Sequence, residues 1–381
     1  MIYLDNAATT FPKPDVVYDA VMDCMKNYCA NPGRAGHRLS LRAGREIYDT
    51  RENLAKLFNI DNPMNIIFTS NATESLNLAI KGLLKTGDHV ITTSMEHNSV
   101  IRPIMALEKI GVENTIVDCN EEGFLDINDL EKAIKPNTKL IVTTHASNVF
   151  GTLIDIKEVG LVAKKNNITY LVDASQTAGV YDIDVKNMNI DILATAGHKS
   201  LLGPQGVGIL YIKEGIDLDT LKEGGTGSQS EYLFQPQMLP DKYESGTHNT
   251  PAIAGLNAGV KYILDNIDTI RRKEEELCEY MLSRLDEIKD IKIYGTKDIK
   301  KRVPVISINI GDIDSGEITF ILDSEYDIAT RSGLHCSPLA HKTVGTIKQG
   351  TVRFSIGYFN TKDDIDRVID ALKKIEKGFR L

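Results

Sequence analysis

The chain has 381 residues, 42% of them hydrophobic and 25% charged, enough for a large α/β unit with an appendage and a sizeable core. A formal net charge of −9 argues against nucleic acid or an anionic membrane surface as the main partner. No apolar run approaches the roughly 20 residues that span a bilayer, and "MIYLDNAATT" lacks the features of an export signal, so a cytoplasmic location is expected.

From about residue 65 to 212, the runs "NIIFTS", "HVITTS", "KLIVTTH", "ITYLVD", "DILATA" and "GVGILYI" read as strands. Between them, "TESLNLAIKGLLK", "NSVIRPIMALEKIG" and "IKEVGLVAKKNN" read as helices. Strands that are apolar almost throughout, separated by amphipathic helices, predict a mainly parallel sheet covered on both faces. After residue 220, a polar, Gly/Pro-rich connection leads into a long helix over roughly 251–288. "VPVISINI", "GEITFILDSEYDIATRSG", "GTVRFSIGYF" and a closing helix over 361–378 then describe a smaller α+β unit. The expected division is a large unit, 15–255, and a small unit formed by 1–14 with 256–381.

Ligands of such sheets bind at the carboxyl ends of the strands, so the residues just after each strand carry the functional signal. "NIIFTS" is followed by "NATES", a helix start near Ala72 or Thr73 whose free N–H groups suit a phosphate. An ordinary start capped by Thr73 explains the same letters. His97 follows "HVITTS" and offers a flat imidazole, though a structural role is as natural. Asp173 ends "ITYLVD", where a carboxylate is expensive to bury without a partner. Lys199 follows "DILATA". Singly, each has a bland explanation. Together, a phosphate-binding helix start, an imidazole, an acid and a lysine on one rim are what pyridoxal 5′-phosphate requires: the lysine for a Schiff base, the acid to keep the ring nitrogen protonated.

With these residues in view, the chain resembles the fold-type I pyridoxal-phosphate enzymes of the class V aminotransferase group, and among them the cysteine desulfurases and selenocysteine lyases. The likeness runs through "YLDNAATT", "TSNATESLNLA", "MEHNS", "SNVFGT", "VDASQTAG", "AGHKSLLGPQGVGILY", "GGTGSQ", "ESGTHNTPAIAGL", "RSGLHCSP" and "VRFSIGYFNT". The resemblance implies that Lys199 carries the cofactor, Asp173 pairs with the ring nitrogen and His97 stacks on the ring. It further implies that Gln176 and Asn148 meet the ring hydroxyl or the substrate, and that Ala72, Thr73 and His198 hold the phosphate. Thr226 would reach that phosphate from a second subunit, in a homodimer with shared active sites. Arg353 would bind the substrate carboxylate, for which a guanidinium fork is well shaped. The family usually has Ser-Gly-His-Lys where this chain has Ala196-Gly197-His198-Lys199, and strand alternation aims the nearby Thr195 at the opposite face.

The five cysteines, Cys24, Cys29, Cys119, Cys278 and Cys336, form no CxxC pair, which fits free thiols in a reducing compartment. Cys24, Cys119 and Cys278 are expected to be buried fillers. Cys336 lies in "RSGLHCSPLAHK", where Arg331, His335 and His341 are candidate cations to favour a thiolate. In the resembling enzymes a cysteine there takes sulfur from L-cysteine as a persulfide, leaving L-alanine, and hands it to an acceptor protein. L-Selenocysteine as substrate, and a β-lyase or aminotransferase reaction on the same fold, are the alternatives.

Overall fold

The period-two alternation of strands decides which side chains meet on each face of the main sheet. The structure is a computed structural model describing residues 1–32 and 36–379. It opens with β1 (Ile2–Tyr3), α1 (Asp15–Asn27) and α2 (Arg38–Phe58). The alternating region comprises β2 (Ile66–Thr69), α3 (Ala72–Leu83), β3 (His89–Thr93), α4 (Asn98–Glu108), β4 (Glu113–Val117), α5 (Ile127–Lys132), β5 (Thr138–Thr144), α6 (Ile156–Lys165), β6 (Thr169–Asp173), β7 (Ile192–Ala196) and β8 (Gly208–Ile212). The remainder holds α7 (Thr250–Leu285), β9 (Ile291–Tyr294), β10 (Val305–Ile310), α8 (Ser315–Tyr326), β11 (Ile328–Ala329), β12 (Arg331–Gly333), α9 (Pro338–Thr343), β13 (Thr351–Ser355) and α10 (Lys362–Gly378).

The main sheet has seven strands in the order β2-β8-β7-β6-β5-β3-β4. β8 is antiparallel to both its neighbours, and the other pairings are parallel. On β5, β6 and β7, Ile141, Tyr170, Val172 and Leu193 face a core built with α2, α6 and the first half of α7. Their neighbours Leu140, Val142, Leu171, Ile192 and Ala194 face a second core built with α3 and α4. Two covered faces explain why these strands are apolar at successive positions. A fully buried Leu or Ile contributes ~1.5–3 kcal/mol, so a one-residue slip in register would cost many times that. β4 pairs with β3 alone among the described residues and is half exposed, which is why "ENTIV" carries no apolar run and gives no strand signal.

A third core lies under the antiparallel sheet β12-β13-β10-β9, covered by α8 and α10. β1 pairs in parallel with β11, and Ile2 and Leu4 join this core. α7 has 36 residues, about 54 Å at 1.5 Å per residue. It serves the first core as far as Ile270 and the third from Leu277 onward. Between β8 and α7, residues 213–249 form no helix or strand.

Candidate active site

Because β2, β3, β5, β6 and β7 point the same way, their carboxyl ends share one edge of the sheet. A solvent-open cavity of about 650 Å³ lies there. Its walls include Ala72, Thr73, His97, Asn148, Asp173, Gln176, His198 and Lys199, each at or just beyond the carboxyl end of a strand.

At one end sits the start of α3. The cap is Asn71 rather than Thr73: Asn71 is extended and its Oδ1 accepts from the Glu74 N–H at 2.9 Å. That frees the Thr73 hydroxyl, which meets Ser99 Oγ at 2.8 Å, while the first-turn N–H groups of Ala72 and Thr73 lack helical partners. Gly208 of β8 passes so close to Asn71 that a Cβ there would collide with its backbone, so glycine keeps this corner open. His198 also lines the cavity, and its buried Nδ1 has no hydrogen-bond partner among the described residues. Thr195 Oγ1 turns away to Ala174 O at 3.4 Å, so Ala196 presents only a methyl where the family's serine would present a hydroxyl.

Ser99 was not legible as a site residue. It stands at the start of α4, joined to Thr73 on one side and to His97 Nδ1 at 2.9 Å on the other. The Ser99 backbone N–H also donates to that Nδ1, at 3.1 Å. An atom accepting from an amide carries no proton, so the His97 proton sits on Nε2. Burial, with the charge of Lys199 nearby, pushes His97 down to about 4 and keeps it neutral.

Asp173 closes β6. Its Oδ1 accepts from Ser175 N at 3.0 Å and Ser175 Oγ at 2.5 Å, an arrangement that fixes the carboxylate and leaves Oδ2 without a hydrogen bond among the described residues. Lys199 forms no ion pair among the described residues. Burial pushes its amine down to about 8, Asp173 opposes, and Arg353 and Arg331 add to the depression. These charges therefore lie within electrostatic reach of one another. Beneath them, Glu96 is fully buried: Oε1 accepts from Thr93 Oγ1 at 2.7 Å and Thr144 N at 3.0 Å, while Oε2 has no partner among the described residues. Gln176 donates to Ala7 O at 3.1 Å, tying the wall to the N-terminal segment.

The cysteine loop sits beside this cavity, between β12 and α9. Cys336 is half-buried, and its backbone carbonyl accepts from Asn98 N at 2.7 Å, one residue beyond His97. Arg331 Nη2 donates to its sulfur at 3.4 Å. The expected histidine cations are absent. His335 Nε2 lies 3.1 Å from both the carbonyl and the hydroxyl of Thr351, and burial takes its pKa to about 2. His341 Nδ1 bonds Thr346 Oγ1 at 2.8 Å, and burial takes it to about 4. Both are neutral, because desolvation outweighs any gain from charge. Of the other thiols, Cys24, Cys119 and Cys278 are buried and Cys29 is exposed.

Arg353, on β13, is buried and adjoins the cavity through Asn148, donating to its carbonyl at 3.0 Å. Its Nη2 pairs with Asp5 at 2.6 Å, and its Nε is buried without a partner among the described residues. Asp5 drew no attention in the sequence, although it belongs to the "YLDNAATT" stretch. Thr226 lies apart from the cavity, half-buried on the 213–249 segment, with Ser228 as its hydrogen-bond partner among the described residues.

A sheet of this topology with a lysine, an acid and a helix start at its carboxyl edge defines a class, and residues 2–368 match the family described as "Aminotransferase class-V". The chain belongs to that family. Within it the similar proteins are cysteine desulfurases. A "Probable cysteine desulfurase" of Methanothermobacter thermautotrophicus is 35% identical, over 98% of this chain and 94% of its own length. The "Cysteine desulfurase IscS" of Clostridium botulinum is 33% identical, over 100% of this chain and 95% of its own. Among solved structures, the apo cysteine desulfurase of Thermococcus onnurineus NA1 superposes with a TM-score of 0.93 at 34% identity, covering 99% and 95% of the two chains.

Proposed function

We propose that the protein is a pyridoxal 5′-phosphate-dependent cysteine desulfurase, converting L-cysteine to L-alanine and taking the sulfur onto Cys336 as a persulfide. The observation that carries this reading is the position of Cys336, facing Arg331 and joined by its carbonyl to the residue after His97, beside the cavity that holds Lys199.

The residues fit the cofactor. A lysine and a His198 Nδ1 that are both unpaired among the described residues, an anchored carboxylate and first-turn N–H groups supply an amine, an acid and donors for a phosphate dianion. In this reading Lys199 would carry pyridoxal 5′-phosphate, Asp173 would serve the ring nitrogen and His97 would supply a flat neutral imidazole. Ala72, Thr73 and His198 would hold the phosphate, with Gln176 and Asn148 near the ring hydroxyl or the bound amino acid. Thr226 would complete the phosphate site of a second copy, making the enzyme a homodimer with shared active sites. Once bound, the cofactor supplies a sink for the electron pair left when the substrate Cα–H bond breaks.

The rest is the work of the chain's own side chains. Arg353 would bind the substrate carboxylate: its guanidinium is held in place by Asp5 and Asn148, and its Nε–H is unpaired among the described residues. Lys199, with its depressed pKa, releases and accepts a proton near neutral pH. The Cys336 sulfur attacks the substrate sulfur; an S–S bond forms, the Cβ–S bond breaks, and the carbon fragment keeps the pair and is protonated to alanine. An acceptor protein in the cytoplasm then receives the sulfur.

Product analysis tests this. L-Cysteine with a thiol reductant should give alanine and sulfide in equal amounts, and Cys336→Ser should lose that activity while keeping the yellow colour of a lysine-bound pyridoxal. Pyruvate as product would assign the chain to β-elimination. Undiminished sulfide release by Cys336→Ser, with activity on L-selenocysteine, would make it a selenocysteine lyase.

A further inference from the structure

Both neighbours of the cysteine are fastened to one buried side chain. The Asn148 amide donates from Nδ2 to the carbonyl of His335 at 2.8 Å, and its Oδ1 accepts from Ser337 Oγ at 2.7 Å. The amide orientation is unambiguous, because a carbonyl can only accept and so faces the nitrogen. Asn148, His335 and Ser337 are all buried, so these bonds compete little with water. Between the two attachment points the backbone is in the left-handed region at His335 (φ 48°) and Cys336 (φ 61°). Two consecutive residues with side chains are costly there and persist only where surrounding bonds over-determine them. Nδ2 carries a second N–H that bonds nothing among the described residues, and the side chain lines the cavity.

We propose that Asn148 and Ser337 are positioning residues forming a clamp that holds the Cys336 loop in its strained conformation, and that Asn148 couples this clamp to whatever oxygen occupies the cavity beside it. The inference rests on the cofactor reading only for the coupling; the clamp stands on the chain's own bonds. The Ser337 side chain reaches Asn148 through its hydroxyl and is no part of the Cα chemistry. Removing that hydroxyl unties one end of the clamp and leaves the cavity wall in place. Coupling of this kind is reciprocal: an occupant that steadies the amide also steadies the loop.

The test is the rate at which iodoacetamide alkylates Cys336 in the full-length protein, followed by peptide mass spectrometry, with exposed Cys29 as internal reference. It is run with pyridoxal 5′-phosphate bound and after its removal. Ser337→Ala should alkylate about tenfold faster than wild type in the cofactor-free chain, the equivalent of one buried hydrogen bond of ~1.4 kcal/mol. Wild type should be slowed severalfold by cofactor, and the variant should not. Exchange of the Cα hydrogen of L-alanine in heavy water should be equal in the two, whereas a general loss of structure would lower it. Equal alkylation of wild type and Ser337→Ala without cofactor overturns the clamp; alkylation of wild type indifferent to cofactor overturns the coupling. Failure to bind the vitamer at all would instead strike the cofactor reading and leave the first comparison intact. Should Ser337→Ala not fold, Asn148→Asp, which loses the donor to His335, carries the same comparison in the cofactor-free chain.

Discussion

Glu96 offers a perturbation whose size follows from the structure. Its carboxyl is fully buried, and desolvation raises its pKa from the ordinary 4.5 to about 8, with Asp173 adding to the rise and the Thr93 and Thr144 bonds opposing it. A raised carboxyl pKa means the folded chain binds the extra proton. Stability is then fully present below about 4.5 and is lost as pH rises toward 8. The displacement corresponds to at most about 5 kcal/mol at ~1.4 kcal/mol per pH unit. Glu96→Gln keeps an acceptor for Thr93 and Thr144 and cannot ionise. Its unfolding midpoint should therefore match wild type near pH 5 and exceed it near pH 9. At ~2.1 cal/mol/K per residue, each kcal/mol moves the midpoint of a chain this long by about 1 °C, so the gap at pH 9 should be about 2–5 °C. Thermal scans of cofactor-saturated protein across that range are the assay. Midpoints that stay parallel from pH 5 to 9 would refute the reasoning.

Other consequences are equally direct. Lys199 must be neutral to attack an aldehyde, and its pKa is near 8, so the rate of cofactor uptake by cofactor-free protein should climb about tenfold per unit up to pH 8 and level off above it. A rise continuing to pH 10, measured by stopped-flow absorbance, would mean the amine is not desolvated. Arg331→Ala removes the charged donor to Cys336 and should slow single-turnover sulfur transfer about 10–100-fold without changing cofactor absorbance; an unchanged rate would leave Arg331 without that role.

Much of this molecule is written locally. The strands of the parallel core announce themselves because both faces are covered, and the residues that follow them fall on one edge because the strands share a direction. Lys199, Asp173 and His97 are therefore legible as a group in the sequence alone. The long helix and the closing helix were equally visible through their apolar periodicity.

What stayed hidden depends on burial and on distant partners. β4 is an edge strand with polar letters, and it exists because β3 offers it a hydrogen-bonding rim. Thr73 looked like a cap, but Asn71, one residue before the helix, takes that place. His335 and His341 looked like cations beside Cys336, and only the packed structure reveals that desolvation holds them neutral. Asp5 reaches Arg353 across 348 positions, a pairing no local pattern encodes. Ser99 and Glu96 flank His97 in sequence, yet their bonds to Thr73 and Thr144 come from neighbouring elements.

The most direct measurement adds one equivalent of L-cysteine to the cofactor-loaded enzyme without reductant, traps the thiols by alkylation and maps them by mass spectrometry. One additional sulfur atom on Cys336, matched by one alanine released, is the expected result. Alanine formed with no sulfur on Cys336, or sulfur gained equally by Cys336→Ser at another cysteine, would contradict the assignment of that thiol as the sulfur acceptor.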